Sequence, residues 1–211
     1  MTVDQAINAA EQGHRLSFRA ARSLYEQVDL LTLGQLAQRA RFRHNPRQVV
    51  TYAIDRNINY TNVCTSCCRA LGGTHILFQG GLNPDLGLDW HEERIRLIAS
   101  SGLSLHGYSP PEIHFLAQRH NMTARQVLTR FINAGLASMP GGGGEILSDR
   151  VRRIVSPGKA NSGEWLEIMA VAHDLGLKTT ATMMFGHMET VDERLIHLFR
   201  LRRLQDRTGG F

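Results

Sequence analysis

From residue 49 onward, short β-rich runs alternate with stretches long enough for a helix, and this alternation limits the fold more than any single residue does. Runs at 49–54 and 57–63 are rich in Val, Ile, Thr and Tyr, and four more follow at 74–79, 103–108, 136–139 and 178–185. Each ends in glycine, proline or polar residues. Between them, helices are expected at 90–99, 124–134, 163–175 and 191–205. Their start signals are Asp89, Thr123 with Gln126, Asn161-Ser162, and Thr190 with Glu193, and Gly176 closes the third. Strands separated by helix-length crossovers lie parallel, in a barrel or a doubly wound sheet.

Residues 3–44 read as helical. Apolar residues recur at helical spacing in Val3, Ile7 and Ala10, in Phe18, Ala21 and Leu24, and from Leu31 through Leu36 to Ala40. Ser17 and Thr32 are candidate N-caps, and Asn45-Pro46 ends the section. The expected organisation is a helical preface over 1–48 and a β/α domain over 49–211.

A chain of 211 residues, 42% hydrophobic, can bury a substantial core. No run is long and apolar enough for membrane insertion, and the N-terminus reads as polar helix rather than signal peptide. With no dispersed cysteine pairs, a cytoplasmic location is expected. The charge of +5 is almost entirely arginine, since Lys159 and Lys178 are the only lysines. The arginines are scattered over helix faces without interleaved aromatics, so no nucleic-acid partner is expected.

All three cysteines, Cys64, Cys67 and Cys68, fall within five positions after the run at 57–63. Thiols this close form no disulfide framework. Free cysteines are commonly small buried hydrophobes, but burial does not explain clustering. The Cys64–Cys68 spacing at a strand end suits iron–sulfur ligation. Zinc is the rival metal, though zinc sites draw on two separated pairs and no second Cys or His pair is evident.

Loops following parallel barrel strands are where active sites assemble. After the cysteine loop come Gln79-Gly80-Gly81, then 108–114 with Glu112, then 139–145 with four glycines and Glu145, then 185–190 with His187 and Glu189. Singly, each has a plain reading: a turn, a stiff Pro-Pro loop, a flexible glycine link, an exposed helix start. Five such loops on one rim, carrying acids and a histidine around thiols, point to a reaction site. One junction is anomalous. Only ten residues separate the runs ending at 63 and starting at 74, fewer than a parallel crossover needs. Either those strands are not parallel neighbours, or a loop and helix belong between Ala70 and Leu71.

The run at 59–68 resembles the start of the radical S-adenosylmethionine signature, Cys-x3-Cys-x2-Cys. Residues 79–85, 106–113, 140–147, 154–158 and 179–190 together resemble the dehypoxanthine futalosine cyclase family of menaquinone biosynthesis, from about 49 to 211. The resemblance implies a partial or complete TIM-type (β/α) barrel, with more barrel expected after Phe211. It also implies Cys64 and Cys68 as two ligands of a [4Fe-4S] cluster, with Cys67 a spacer. The third ligand of the pattern falls at position 71, which is Leu71 here, and this coincides with the short crossover.

The same resemblance implies that S-adenosylmethionine, cleaved by an external electron donor through the cluster, gives a 5′-deoxyadenosyl radical. That radical cyclises the small-molecule substrate, dehypoxanthine futalosine. By analogy Gln79, Gly80 and Gly81 meet the methionine end, and Glu112 and Glu145 are polar contacts to cofactor or substrate. His187 and Glu189 bind substrate or accept the proton lost. Aminofutalosine synthase is the sister activity, deazaflavin-cofactor radical synthases are more distant, and a cluster-free or zinc-holding binding protein is the reading from another class.

Overall fold

A computed structural model describes residues 2–59 and 73–211. Three helices come first: α1 (Val3–Glu11), α2 (Phe18–Gln27) and α3 (Leu30–His44). Thr2 and Ser17 cap the first two. The cap of α3 is Asp29 rather than the expected Thr32. The Asp29 carboxylate accepts both the Leu31 and Thr32 N–H groups at 3.0 Å, and Thr32 sits inside the first turn. The three helices close on a small cluster of Ala6, Ala20, Leu24 and Leu36.

The β/α part follows as β1 (Asp55–Asn59), β2 (His75–Gln79), α4 (Leu88–Ser100), β3 (Ser104–Gly107), α5 (Pro110–Arg119), α6 (Ala124–Ala134), β4 (Ser138–Met139), α7 (Asp149–Val155), α8 (Ser162–Asp174), β5 (Lys178–Thr179) and α9 (Val191–Thr208). The strands are all parallel, in the order β1-β2-β3-β4-β5. A doubly wound sheet reverses direction at a switch point, whereas sequential order winds one way. The architecture is therefore α/β with a five-stranded arc of TIM-barrel type.

β1 and β2 are parallel neighbours, pairing Asp55 with His75 through Asn59 with Gln79. That excludes one of the two explanations for the short junction. With β1 ending at Asn59 in the described residues, fifteen positions (60–74) separate the two strands. Two other expectations need correction. Residues 49–54 form no strand, and Val49, Val50, Tyr52 and Ile54 are all more than half exposed. The run at 178–185 pairs as a strand only over Lys178–Thr179, because beyond it the backbone turns onto the glycine run after β4. The Thr179 N–H donates instead to the Gly210 carbonyl at 3.0 Å.

α5 begins where a loop is expected. Ser109-Pro110-Pro111-Glu112 is itself a helix start, with a serine cap, proline at the first position and a glutamate completing the capping box. The core lies between sheet and helices, built from Ile76, Phe78, Leu105 and Met139 of the strands against Ile95, Ile113, Phe131, Trp165 and Met169. The helical preface docks on α9 through edge-on packing of Phe18 on Phe199 and the Arg22–Asp192 ion pair.

Two buried histidines carry a pH consequence. His91 lies 3.1 Å from the Tyr108 hydroxyl, and His197 Nδ1 accepts the Leu147 N–H at 3.0 Å. Burial first, then neighbouring positive groups, hold each imidazole down to about 4. The fold keeps both neutral while the unfolded chain protonates them near 6.5, so their contribution is complete above that pH and declines as pH falls toward 4. Stability is expected to fall from pH 7.5 to 5 by at most about 2 kcal/mol per histidine, read as a drop in the thermal midpoint. A flat profile over that interval would show that the imidazoles are not held neutral.

Candidate active site

The rim at the C-terminal ends of the strands is joined by direct contacts between successive loops. Glu112, 3% exposed, spans two of them. Its Oε1 accepts the Gly80 N–H at 3.1 Å, and its Oε2 accepts the Ser109 N–H at 2.8 Å and hydroxyl at 2.6 Å. Glu112 thus fixes the loop after β2 to the start of α5. Tyr108 makes this possible. Its φ of 60° is left-handed, and its ring lies fully buried against Phe131 and His91 instead of following strand alternation. Gly107 clears the way, since a Cβ there would stand 2.8 Å from the Phe78 carbonyl oxygen.

The four-glycine run after β4 is not a flexible link. A Cβ at Gly141 would stand 2.3 Å from the Thr180 carbonyl oxygen, at Gly142 2.8 Å from the Gln79 side-chain amide, and at Gly143 2.2 Å from Pro111. The Gly141 N–H donates to Thr180 Oγ1 at 3.1 Å, and Thr182 Oγ1 donates to the Gly141 carbonyl at 2.8 Å. The Gly143 and Gly144 carbonyls accept from Arg152 at 3.0 and 2.7 Å. Arg152 is 3% exposed, and burial lowers its pKa, with Glu145 and Asp149 opposing. Sequence reasoning missed Arg152, because an arginine in a short helix ordinarily signals a solvated face.

Glu145, with φ 35°, follows the glycines. Lys159 Nζ lies 2.9 Å from Oε1, while Oε2 is buried with no hydrogen-bond partner among the described residues, 4.0 Å from Arg152. Its carbonyl accepts the Met184 N–H at 2.8 Å. On the loop after β5, Glu189 folds back on its own segment. It accepts the Gly186 N–H at 2.6 Å and the His187 N–H at 3.1 Å, and pairs with Arg194. The Gly186 N–H chiefly, with His187 and Arg194, holds its carboxyl at about 2. His187 Nδ1 lies 3.0 Å from Glu189, and its Nε2 lies 3.2 Å from the Met184 carbonyl. These contacts bind His187 and Glu189 to their own loop, beside exposed Met184, Phe185 and Met188.

The rim therefore brings Gln79, Gly80, Glu112 and Gly142 together, and links Glu145 to the loop of His187 and Glu189 through Met184. Gly81 differs from the sealed glycines, since a Cβ there meets nothing within 4 Å. Backbone open on that side, next to a pinned Gly80, suits close approach by a ligand. One layer below, on the sheet face away from the helices, His106 Nδ1 lies 2.7 Å from Ser138 Oγ. Burial lowers the His106 pKa, with His75 assisting and Asp55 opposing. Cys64 and Cys68, with Cys67, lie outside the described residues.

A one-way parallel arc with its loops joined at one rim is what the radical SAM superfamily of enzymes uses, and the chain belongs to it: the superfamily model matches residues 58–201. The family implies S-adenosylmethionine and a [4Fe-4S] cluster; in sequence all three thiols fall within nine positions after β1, and two of them, Cys64 and Cys68, match the ligand spacing while the third ligand position is Leu71.

Among curated relatives, the chain is similar to cyclic dehypoxanthine futalosine synthase of Streptomyces coelicolor, 35% identical over 239 residues, covering 97% of this chain and 60% of that protein. The synthase of the same name from Halalkalibacterium halodurans is 34% identical over 242 residues, covering 100% of this chain and 65% of that protein. It is also similar to 5-amino-6-(D-ribitylamino)uracil–L-tyrosine 4-hydroxyphenyl transferase 1 of Methanosarcina mazei, 37% identical over 188 residues, covering 76% and 50%. The chain thus spans 60–65% of the length of the two synthases. An alignment of 242 positions against 211 residues leaves about 31 positions at which the H. halodurans protein has no counterpart here.

Proposed function

We propose that the chain belongs to a radical enzyme that cyclises dehypoxanthine futalosine on the way to menaquinone. What supports this reading is the resemblance of the loops at 79–85, 106–113, 140–147 and 179–190 to the cyclase, together with two synthases matched at 34–35% identity over 97% and 100% of the chain. The rim geometry supports it: the loops that carry the family resemblance are the ones joined by Glu112, the glycine run and Met184. The second reading, joining a tyrosine-derived group to a ribitylaminouracil, is favoured by the M. mazei relative, 37% identical over 76% of this chain, and by the transferase of Methanopyrus kandleri, 33% identical over 100% of it.

On either reading, Cys64 and Cys68 would hold the cluster, and the cluster with S-adenosylmethionine supplies a route to a carbon-centred radical when bound. The backbone at Gln79–Gly81 would receive the methionine end, with Glu112 fixing Gly80 and room beside the Gly81 Cα. Glu145 would offer its buried Oε2, which has no hydrogen-bond partner among the described residues, to a donor on cofactor or substrate. His187, once its Nε2 leaves the Met184 carbonyl, would take the proton released when the ring rearomatises, and the joined loops would exclude water. A reduced electron carrier in a cytoplasmic setting completes the scheme. We further place the 31 or so unmatched positions at the crossover after Ala70, where the third cysteine of the pattern would stand.

Anaerobic reconstitution tests these points together. The protein is expected to turn brown, to lose its iron in Cys64→Ala and Cys68→Ala, and to keep it in Cys67→Ala. Loss of iron in all three would make Cys67 a ligand rather than a spacer, and a colourless zinc protein would end the radical reading. Dehypoxanthine futalosine should be consumed, and ribitylaminouracil with tyrosine should not. The reverse outcome selects the transferase.

A further inference from the structure

An open cleft of about 1270 Å³ lies between α7, α8 and α9. None of the residues that line it belongs to the loops at 79–81 or 186–189. Six cationic side chains face it, Arg152, Arg153, Lys159, Arg200, Arg203 and Arg207, against the carboxylates of Asp149 and Glu167. Half of those cations already have work in the fold. Arg152 holds the glycine run, Lys159 pairs with Glu145, and Arg200 donates to the Leu147 carbonyl at 2.9 Å and the Ser162 hydroxyl at 2.5 Å.

Arg153, Arg203 and Arg207 have no hydrogen-bond or ion-pair partner among the described residues. Among the described residues, nine arginines elsewhere each pair with a carboxylate, and others stand alone on the surface, but these three line one cavity together. Arg200, Arg203 and Arg207, at i, i+3 and i+7, share one face of α9. Like charges gathered on one face repel, and of the residues lining the cleft only Asp149 and Glu167 carry the opposite charge. Two carboxylates against six cations leave the cleft with an excess of positive charge, and Asp149 is also tied to the start of α8 through the Ser162 N–H at 2.8 Å. The floor is apolar, from Leu166, Ala170 and Leu204.

We propose that this cleft binds a phosphate-bearing small molecule with an apolar portion, of the class of a nucleoside diphosphate. Guanidinium forks match phosphate oxygens two at a time, and two or more charged oxygens would relieve the repulsion along α9. The apolar floor takes the attached ring, and the volume accommodates both parts.

Titration calorimetry of the purified protein with ADP, pyrophosphate and adenosine, at constant ionic strength, tests the assignment. ADP should bind with Kd below about 0.1 mM, pyrophosphate more weakly, and adenosine least. The Arg203→Ala/Arg207→Ala double variant should weaken ADP binding about tenfold or more at an unchanged melting temperature, and Arg153→Gln provides an independent second variant. Absence of binding by ADP and pyrophosphate at about 1 mM would overturn the proposal. So would equal ADP affinity in both variants, as binding at the strand-end loops would give, or adenosine binding as tightly as ADP. Polyglutamate binding in place of the phosphates would assign the surface to an acidic protein instead.

Discussion

Replacing Glu112 with alanine is expected to lower stability by about 3 kcal/mol and to weaken binding of S-adenosylmethionine. Three donors lose their acceptor at once: the Gly80 N–H, the Ser109 N–H and the Ser109 hydroxyl. Hydrogen bonds to a charged group contribute about 1.5–3 kcal/mol each, and three sharing one carboxylate sum to less than three times that. For a chain of this size the melting temperature should drop by about 6–12 °C. Glu112→Gln keeps one carbonyl oxygen but turns an N–H2 toward a donor, so about half the loss should remain. Thermal melts and a cofactor titration of both variants check this. Melting temperatures within a degree of the parent would mean that Glu112 does not fix Gly80.

The second large effect is at Gly141. An alanine there puts its Cβ 2.3 Å from the Thr180 carbonyl oxygen and 2.6 Å from Ala181 Cα. Both are backbone atoms in a loop already tied to Gly141 by two hydrogen bonds, so neither can give way as a flexible side chain would. Overpacking of this kind costs about 1–3 kcal/mol and more where backbone must move, so Gly141→Ala should cost about 3 kcal/mol or fail to fold. Gly81→Ala is the control, because its Cβ meets nothing. It should melt with the parent while losing cofactor affinity. Equal tolerance of both substitutions would show that the glycine run is not packed as described.

Much of this architecture was legible in residue order. The boxes at Thr123/Gln126, Asn161/Glu164 and Thr190/Glu193 place helix starts through local hydrogen bonds that need no tertiary context. The strand exits were legible too, because Gln79, Gly107-Tyr108 and the glycine run break hydrophobic patterning where the chain leaves the sheet. What was not legible depends on contacts far apart in sequence. Ser109-Pro110-Pro111-Glu112 reads as a stiff loop until its glutamate is seen reaching Gly80, thirty-two residues away. Four successive glycines read as a flexible link until Thr180, Gln79 and Pro111 are seen filling the space. Arg152 carries no sequence signal, since its role exists only once the glycine carbonyls point at it. His187 and Glu189 were read as groups facing a substrate, whereas most of their hydrogen-bonding capacity is used within their own loop.

The left-handed turn at Tyr108 has a kinetic consequence. Because that ring is buried among α4 and α6 residues, the segment that presents Glu112, and through it Gly80, cannot loosen without opening the core. Local openings of this edge would therefore require disruption on the scale of global unfolding. Traffic of small molecules through the rim must use segments that can shift cheaply. Among the described residues, the exposed turn around Gly186 and the exposed stretch from Gly81 meet that condition. That side of the rim is a fixed wall, so shape change at the rim falls to the segments outside it.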